Sequence, residues 1–216
     1  MPKAVIFDMD GVIIDSEPLW RRAMIRVFNA SGLPFTDNDC RVTTGMRIDQ
    51  VISFWNNKTP FTKDEELVRT NIEDHLCGLI SAEGKPMKGL QQSLDVIAGQ
   101  KMLIALATSS SEKLIKCVLN ILKIETYFKH IQSAEHLTYG KPHPEVFLKC
   151  AEAINTKPGD CLVIEDSLNG IISAKAAGMN VIGIPEEHNI NNQKFCIADV
   201  TLHSLQEINS EIIKQF

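Results

Sequence analysis

Val5-Ile6-Phe7-Asp8-Met9-Asp10-Gly11 decides how this chain is read. Three apolar residues run into two aspartates one residue apart, and a glycine follows. The apolar run predicts a strand buried on both faces. Gly11 lets the backbone leave that strand sharply. Asp8 and Asp10 thereby fall at the carboxyl end of a strand, the edge at which open α/β sheets hold their ligands.

Working outward, Ser16 before Glu17-Pro18 predicts a helix N-cap with proline in the first turn. Leu19, Ala23, Met24, Val27 and Phe28 then keep helical spacing, and Ser31-Gly32-Leu33-Pro34 stops the helix. Ile48, Val51, Ile52 and Trp55 predict a second helix. Thr62 and Glu65 form a capping box for a third, whose stripe runs Val68, Ile72, His75, Leu76 and Leu79. A break at 85–89 ends this all-helical stretch. Beyond it, apolar strands at 102–107, 130–133, 161–164 and 181–184 alternate with helical patterns, and Ser204 with Glu207 forms a capping box for a C-terminal helix. The pattern predicts an α/β fold, a Rossmann-like doubly wound parallel sheet with an inserted all-helical cap. Residues 1–15 and 87–216 are read as the core and 16–86 as the cap, tethered at the mouth of the aspartate site where a lid would act.

The bulk composition is that of a soluble globular protein: 216 residues, 44% hydrophobic and 23% charged. A net charge of -5 argues against a nucleic-acid coat or a polybasic membrane surface. No apolar run approaches the roughly 20 residues that span a bilayer, and no signal-peptide pattern opens the chain. A cytoplasmic monomer with neither nucleic-acid nor membrane partners is expected. The six cysteines form no C-x-x-C pair and read as buried free thiols in a reducing compartment.

Four strand ends carry polar groups: Asp8 and Asp10, Thr108 and Ser109, the Lys141 loop, and Glu165 with Asp166. In a parallel sheet these ends share one edge. Carboxylates so gathered raise one another's pKa unless a hard divalent cation with oxygen ligands intervenes, and a water-rich shell with few carboxylates suits Mg²⁺. A cation, a lysine and a hydroxyl together describe a pocket for a phosphoryl group. The expected partner is a small phosphorylated metabolite.

This set of residues resembles the haloacid dehalogenase superfamily of phosphotransferases. Its D-x-D-G motif stands as Asp8-Met9-Asp10-Gly11, its Ser/Thr motif as Thr108, its lysine as Lys141-Pro142, and its acidic pair as Glu165-Asp166. The resemblance implies that Asp8 attacks phosphorus and that Asp10 shuttles the proton. It implies that Asp8, Asp166 and the Asp10 carbonyl hold Mg²⁺, with Glu165 helping directly or through water. Thr108, Ser109 and Lys141 would hold phosphate oxygens, Lys141 also counting among the catalytic groups. Glu17, Trp20 and Arg47 are candidate substrate contacts from the cap.

The cap is similar to that of the β-phosphoglucomutase and sugar-phosphate phosphatase branch. The mutases carry a histidine on the first cap helix and an arginine after a glycine turn. Here that helix holds Glu17, Pro18 and Trp20, and Arg47 stands one residue out of the mutase register in Thr44-Gly45-Met46-Arg47-Ile48. The segments Ser-Glu-Pro-Leu-Trp and Gly-Met-Arg-Ile-Asp resemble the hexitol- and 2-deoxyhexose-6-phosphate phosphatases. A Mg²⁺-dependent sugar-phosphate phosphatase is therefore expected, with β-phosphoglucomutase as the alternative. A receiver-like phosphoacceptor module fits less well, because receivers are shorter, lack a cap and draw their acids from separate strands. A phosphonate-cleaving enzyme would need a cap lysine nucleophile, for which there is no clear candidate.

Overall fold

The computed structural model describes residues 1–60 and 64–216, and it opens with β1 (Ala4–Phe7). The chain then forms α1 (Glu17–Ala30), α2 (Asp37–Val42), α3 (Ile48–Lys58) and α4 (Glu65–Glu83). It continues through α5 (Leu90–Gly99), β2 (Leu103–Thr108), α6 (Glu112–Leu122), β3 (His130–Ser133), α7 (Glu145–Ala153), β4 (Cys161–Glu165) and α8 (Leu168–Ala176). It ends with β5 (Asn180–Gly183), β6 (Val200–Thr201) and α9 (Ser210–Ile213). The strands pair in the order β3-β2-β1-β4-β5-β6, every pair parallel.

All four residues of β1 are buried, as a strand covered on both faces requires. Val5 and Phe7 join the apolar cluster that includes α5 and α6, whereas Ala4 and Ile6 join the cluster of Val146, Phe147, Ile171 and Ala174 on α7 and α8. This alternation is the two-residue side-chain period of a strand. Phe7 is in register with Leu106 of β2 and Ile164 of β4. The next residue, Asp8, donates its backbone N–H to Ile164 O at 3.0 Å. Polar residues after β1, β2 and β4 therefore emerge side by side.

The helices follow their apolar periodicity. In α1 the buried residues are Leu19, Ala23, Met24, Val27 and Phe28, and in α3 they are Ile48, Val51, Ile52 and Trp55. In α4 the buried face is Val68, Ile72, Glu73, Leu76 and Ile80, while His75 and Leu79 are half-buried. Thr62 of the expected capping box lies outside the described residues; Asp64 is the N-cap, accepting from the N–H groups of Glu66 and Leu67. The Ser204–Glu207 box is present but caps a single 3₁₀ turn, and α9 has its own cap in Asn209. Among the described residues no helix is long and apolar enough to cross a membrane.

Residues 16–86 leave and rejoin the sheet at one place. Asp15 N–H donates to Lys85 O at 3.0 Å and Met87 N–H to Ile13 O at 2.9 Å, so the outgoing and returning chains are hydrogen-bonded to each other. A second tie contradicts the reading of the cysteines. Cys77 of α4 and Cys117 of α6 form a disulfide, and the exposed Cys196 is also not a buried thiol; Cys40, Cys150 and Cys161 are buried and free. The packing of α4 on α6 brings the pair together across a separation of 40 residues, which no spacing rule detects.

A disulfide closing a loop of that length is expected to add about 4 kcal/mol by restricting the unfolded chain. Urea unfolding of Cys117→Ser, and of the wild type in excess dithiothreitol, should give coincident midpoints below that of the oxidised wild type.

Candidate active site

Asp8 extends β1 by one residue and is buried among charges. Lys141 Nζ reaches it from the loop before α7, donating to Asp8 Oδ1 at 2.9 Å, to Glu165 Oε1 at 2.6 Å and to Ala107 O at 3.4 Å. Lys141 is only 1% exposed. Burial opposes its charge, but the carboxylates of Asp8 and Glu165 outweigh burial and hold the ammonium above its ordinary pKa. Asp8 moves the other way. Burial, with help from Glu165 and Asp10 and against the pull of Lys141, lifts its carboxyl to about 7.

Glu165 ends β4 and is fully occupied. One oxygen meets Lys141, and the other accepts from Ser167 N–H at 2.9 Å and Ser167 Oγ at 3.0 Å. Ser167 caps α8 as expected, accepting from Gly170 N–H at 3.0 Å. A β-carbon on Gly170 would stand 1.7 Å from Glu165 Oε1, so a glycine is needed for the carboxylate to lie against this helix. Asp166 follows directly, and burial and then the Glu165 charge push its carboxyl well above the usual carboxylate range.

Asp8, Glu165 and Asp166 each present a carboxylate oxygen within 4.8 Å of the others. Gly11, at φ +73°, makes room beside them, since a β-carbon there would fall 2.0 Å from Asp166 Oδ2. Asp8 and Glu165 share the Lys141 ammonium, and the three buried carboxylates together offer an oxygen-only, electron-rich site of the kind that suits a hard divalent cation.

Asp10 faces the other side of the opening. Ser16 Oγ and Trp20 Nε1 donate to its Oδ1 at 2.5 and 2.9 Å, and Ser110 Oγ donates to its Oδ2 at 2.6 Å. Ser16 occupies the N-cap of α1 but makes no capping hydrogen bond there; its hydroxyl turns to Asp10 instead. Neither Ser16 nor Ser110 was among the site residues expected from sequence. The only hint of Ser110 is the run Thr108-Ser109-Ser110-Ser111 at a strand end.

A cavity of about 50 Å³ opens over these groups. Asp8, Asp10, Thr108, Ser109, Ser110 and Asp166 line its floor, with Glu17, Trp20 and Met46 among the residues above. Thr108 is buried, its Oγ1 accepting from Ser110 N–H at 3.1 Å, and Ser109 Oγ donates to Gly45 O at 3.1 Å. Burial and then the Asp10 charge raise the Glu17 carboxyl to about 8. Arg47 is not in this lining. Its guanidinium holds Asp49 through Nε at 2.6 Å and Nη2 at 2.8 Å, and Nη1 donates to Ala134 O at 2.8 Å and Leu137 O at 2.7 Å.

The profile of the haloacid dehalogenase-like hydrolases matches residues 5–184. Hexitol phosphatase B of Escherichia coli K12 is 36% identical over 211 residues, covering 96% of this chain and 95% of the relative. A phosphorylated carbohydrates phosphatase of Thermotoga maritima is 30% identical over 193 residues, 89% of this chain and 88% of its own. Among solved structures, β-phosphoglucomutase from Clostridium difficile superposes with a TM-score of 0.86 at 25% identity, covering 100% of this chain and 96% of that one. With a profile spanning most of its length and relatives matched nearly end to end, this chain belongs to the haloacid dehalogenase-like hydrolase family.

Proposed function

We propose that the protein is a Mg²⁺-dependent phosphatase of small sugar or sugar-alcohol phosphates, working through an aspartyl-phosphate on Asp8. The observation that carries this reading is the pairing of two differently held aspartates at one cavity. Lys141 grips Asp8 by Oδ1, which directs its other oxygen to act as the nucleophile. Asp10 stands opposite in a web of neutral donors, suited to moving a proton.

In the first step Asp8 attacks phosphorus, the bond to the sugar oxygen breaks, and Asp10 gives that oxygen its proton. In the second, Asp10 takes a proton from water, the water attacks phosphorus, and phosphate leaves Asp8. Thr108, Ser109 and Lys141 are assigned to the phosphoryl oxygens. Asp8, Asp166 and the Asp10 carbonyl would hold Mg²⁺, and Glu165, whose oxygens accept from Lys141 and Ser167, would orient Lys141 and the start of α8 and help hold the cation directly or through water. When bound, the cation neutralises charge on the phosphoryl group.

Two observations favour water over a second sugar hydroxyl as acceptor. A mutase must grip a second phosphate, and Arg47 is committed to Asp49 and the carbonyls of Ala134 and Leu137. Hexitol phosphatase B also shares more of its sequence with this chain, 36%, than the β-phosphoglucomutase structure does, 25%. The segment 16–86 is proposed to act as a lid over the core of 1–15 and 87–216.

A phosphate-release screen over many phosphate esters with Mg²⁺ should give its strongest signals with hexose and hexitol phosphates, and Asp8→Asn should lower them at least about 10³-fold. Conversion of β-glucose 1-phosphate to glucose 6-phosphate, with a bisphosphate primer and little free phosphate, would overturn the choice of water as acceptor. Gly11→Ala, which drives a β-carbon at Asp166, should raise the Mg²⁺ concentration for half-maximal rate about tenfold or more, read from a metal titration of activity.

A further inference from the structure

We infer that the Cys77–Cys117 disulfide is a redox lock: while it stands it holds the 16–86 segment down on the core, and its reduction by a dithiol frees that segment to swing. This rests on the proposed role of 16–86 as a lid. The helix α4 packs against α1 and α3 within the segment and against α6 of the core. A lid that moves as one body therefore carries α4 across α6. The backbone hydrogen bonds of 13–15 with 85–87 tie the segment to the sheet at one place. A body tied at one place can turn about it in any direction. Cys77 precedes Glu83, the last residue of α4, by roughly 9 Å at the rise of a helix. Its bond to Cys117 is a second fixed point, and two fixed points leave rotation only about the line that joins them.

The other ties along α4 are of a weaker kind. Lys113 of α6 pairs with Asp74, and Arg69 meets Glu135 at 3.4 Å. Ion pairs near the surface exchange readily with water, whereas a disulfide opens only by attack of a thiolate. Among the described residues Cys77–Cys117 is the only disulfide, and both of its cysteines are half-buried, within reach of a small thiol. A thiolate of the dithiol attacks one sulfur, the S–S bond breaks and a mixed disulfide forms; the second thiolate then displaces the protein sulfur. The dithiol becomes a disulfide, and its two electrons and two protons pass to Cys77 and Cys117. Burial pushes the Cys40 and Cys150 thiols up to about 12 and that of Cys161 to about 11. These three hold too little thiolate to join the exchange.

The test is made in a Cys196→Ser background, since Cys196 is exposed and free and would cross-link copies on oxidation. With Mg²⁺ and sorbitol 6-phosphate, dithiothreitol should raise kcat about fivefold or more, as expected where lid opening limits turnover, and diamide should reverse the gain. Cys117→Ser should match the reduced protein and respond to neither reagent. A measurable kcat that stays level or falls on reduction, with the circular dichroism of the fold intact, would overturn the inference. Trp20 reports the lid without substrate, because it lines the cavity and donates to Asp10, whereas Trp55 is buried. Reduction should raise acrylamide quenching of the tryptophan fluorescence to the level of Cys117→Ser; unchanged quenching would overturn the inference even if kcat rises. A protein that hydrolyses no ester in either redox state, yet shows the change in quenching, would overturn the phosphatase reading and leave the lock standing.

Discussion

One buried ammonium holds the centre of this molecule together. Lys141 Nζ lies 2.9 Å from Asp8 and 2.6 Å from Glu165, almost without solvent. Those carboxylates close neighbouring strands, β1 and β4, whose pairing brings their ends to the same place. Without the lysine, two buried negative charges would face each other across the middle of the sheet; removing one partner of a buried ion pair typically costs about 3–5 kcal/mol. The same ammonium sets the division of labour, because it takes one oxygen of Asp8 and turns Glu165 toward the start of α8. Asp166 is then left toward the cavity, where Gly11 gives it space.

Much of this was legible in the sequence, and the reason is local. The strand of Asp8, its glycine exit and the apolar faces of α1 and α3 are set by residues close together in the chain, and the structure follows them nearly residue by residue. What the sequence hid depended on distance. Ser16 reads as a helix cap until Asp10 is seen 2.5 Å from its hydroxyl. Ser110 is one serine among several until the loop after β2 turns it toward the same carboxylate. The Cys77–Cys117 bond joins helices whose contact no periodicity announces. The two-residue β6 and the six-residue α2 were too short to show a pattern.

Arg47 illustrates the same limit. A glycine turn followed by arginine suggests a ligand contact, yet its guanidinium fastens the segment before α3 to the loop after β3. It has company along this seam. Asn169 Nδ2 donates to Thr44 O at 3.0 Å, Ser109 Oγ donates to Gly45 O at 3.1 Å, and Arg21 Nη1 meets Glu186 at 3.2 Å. Most of these bonds join a side chain on one side to backbone on the other.

The pairing of residues 13–15 with 85–87 has a consequence for how such a chain can change over time. Seen from the sheet, everything between those positions is the tip of a hairpin, because both ends arrive at adjacent hydrogen-bonded places. The length and sequence of a hairpin tip can change while its base keeps register, since loop-closure entropy grows only slowly with length. Asp8 is set by β1 and its neighbours, on the sheet side of that base. That tip can therefore be rewritten with the strand that carries Asp8 left untouched.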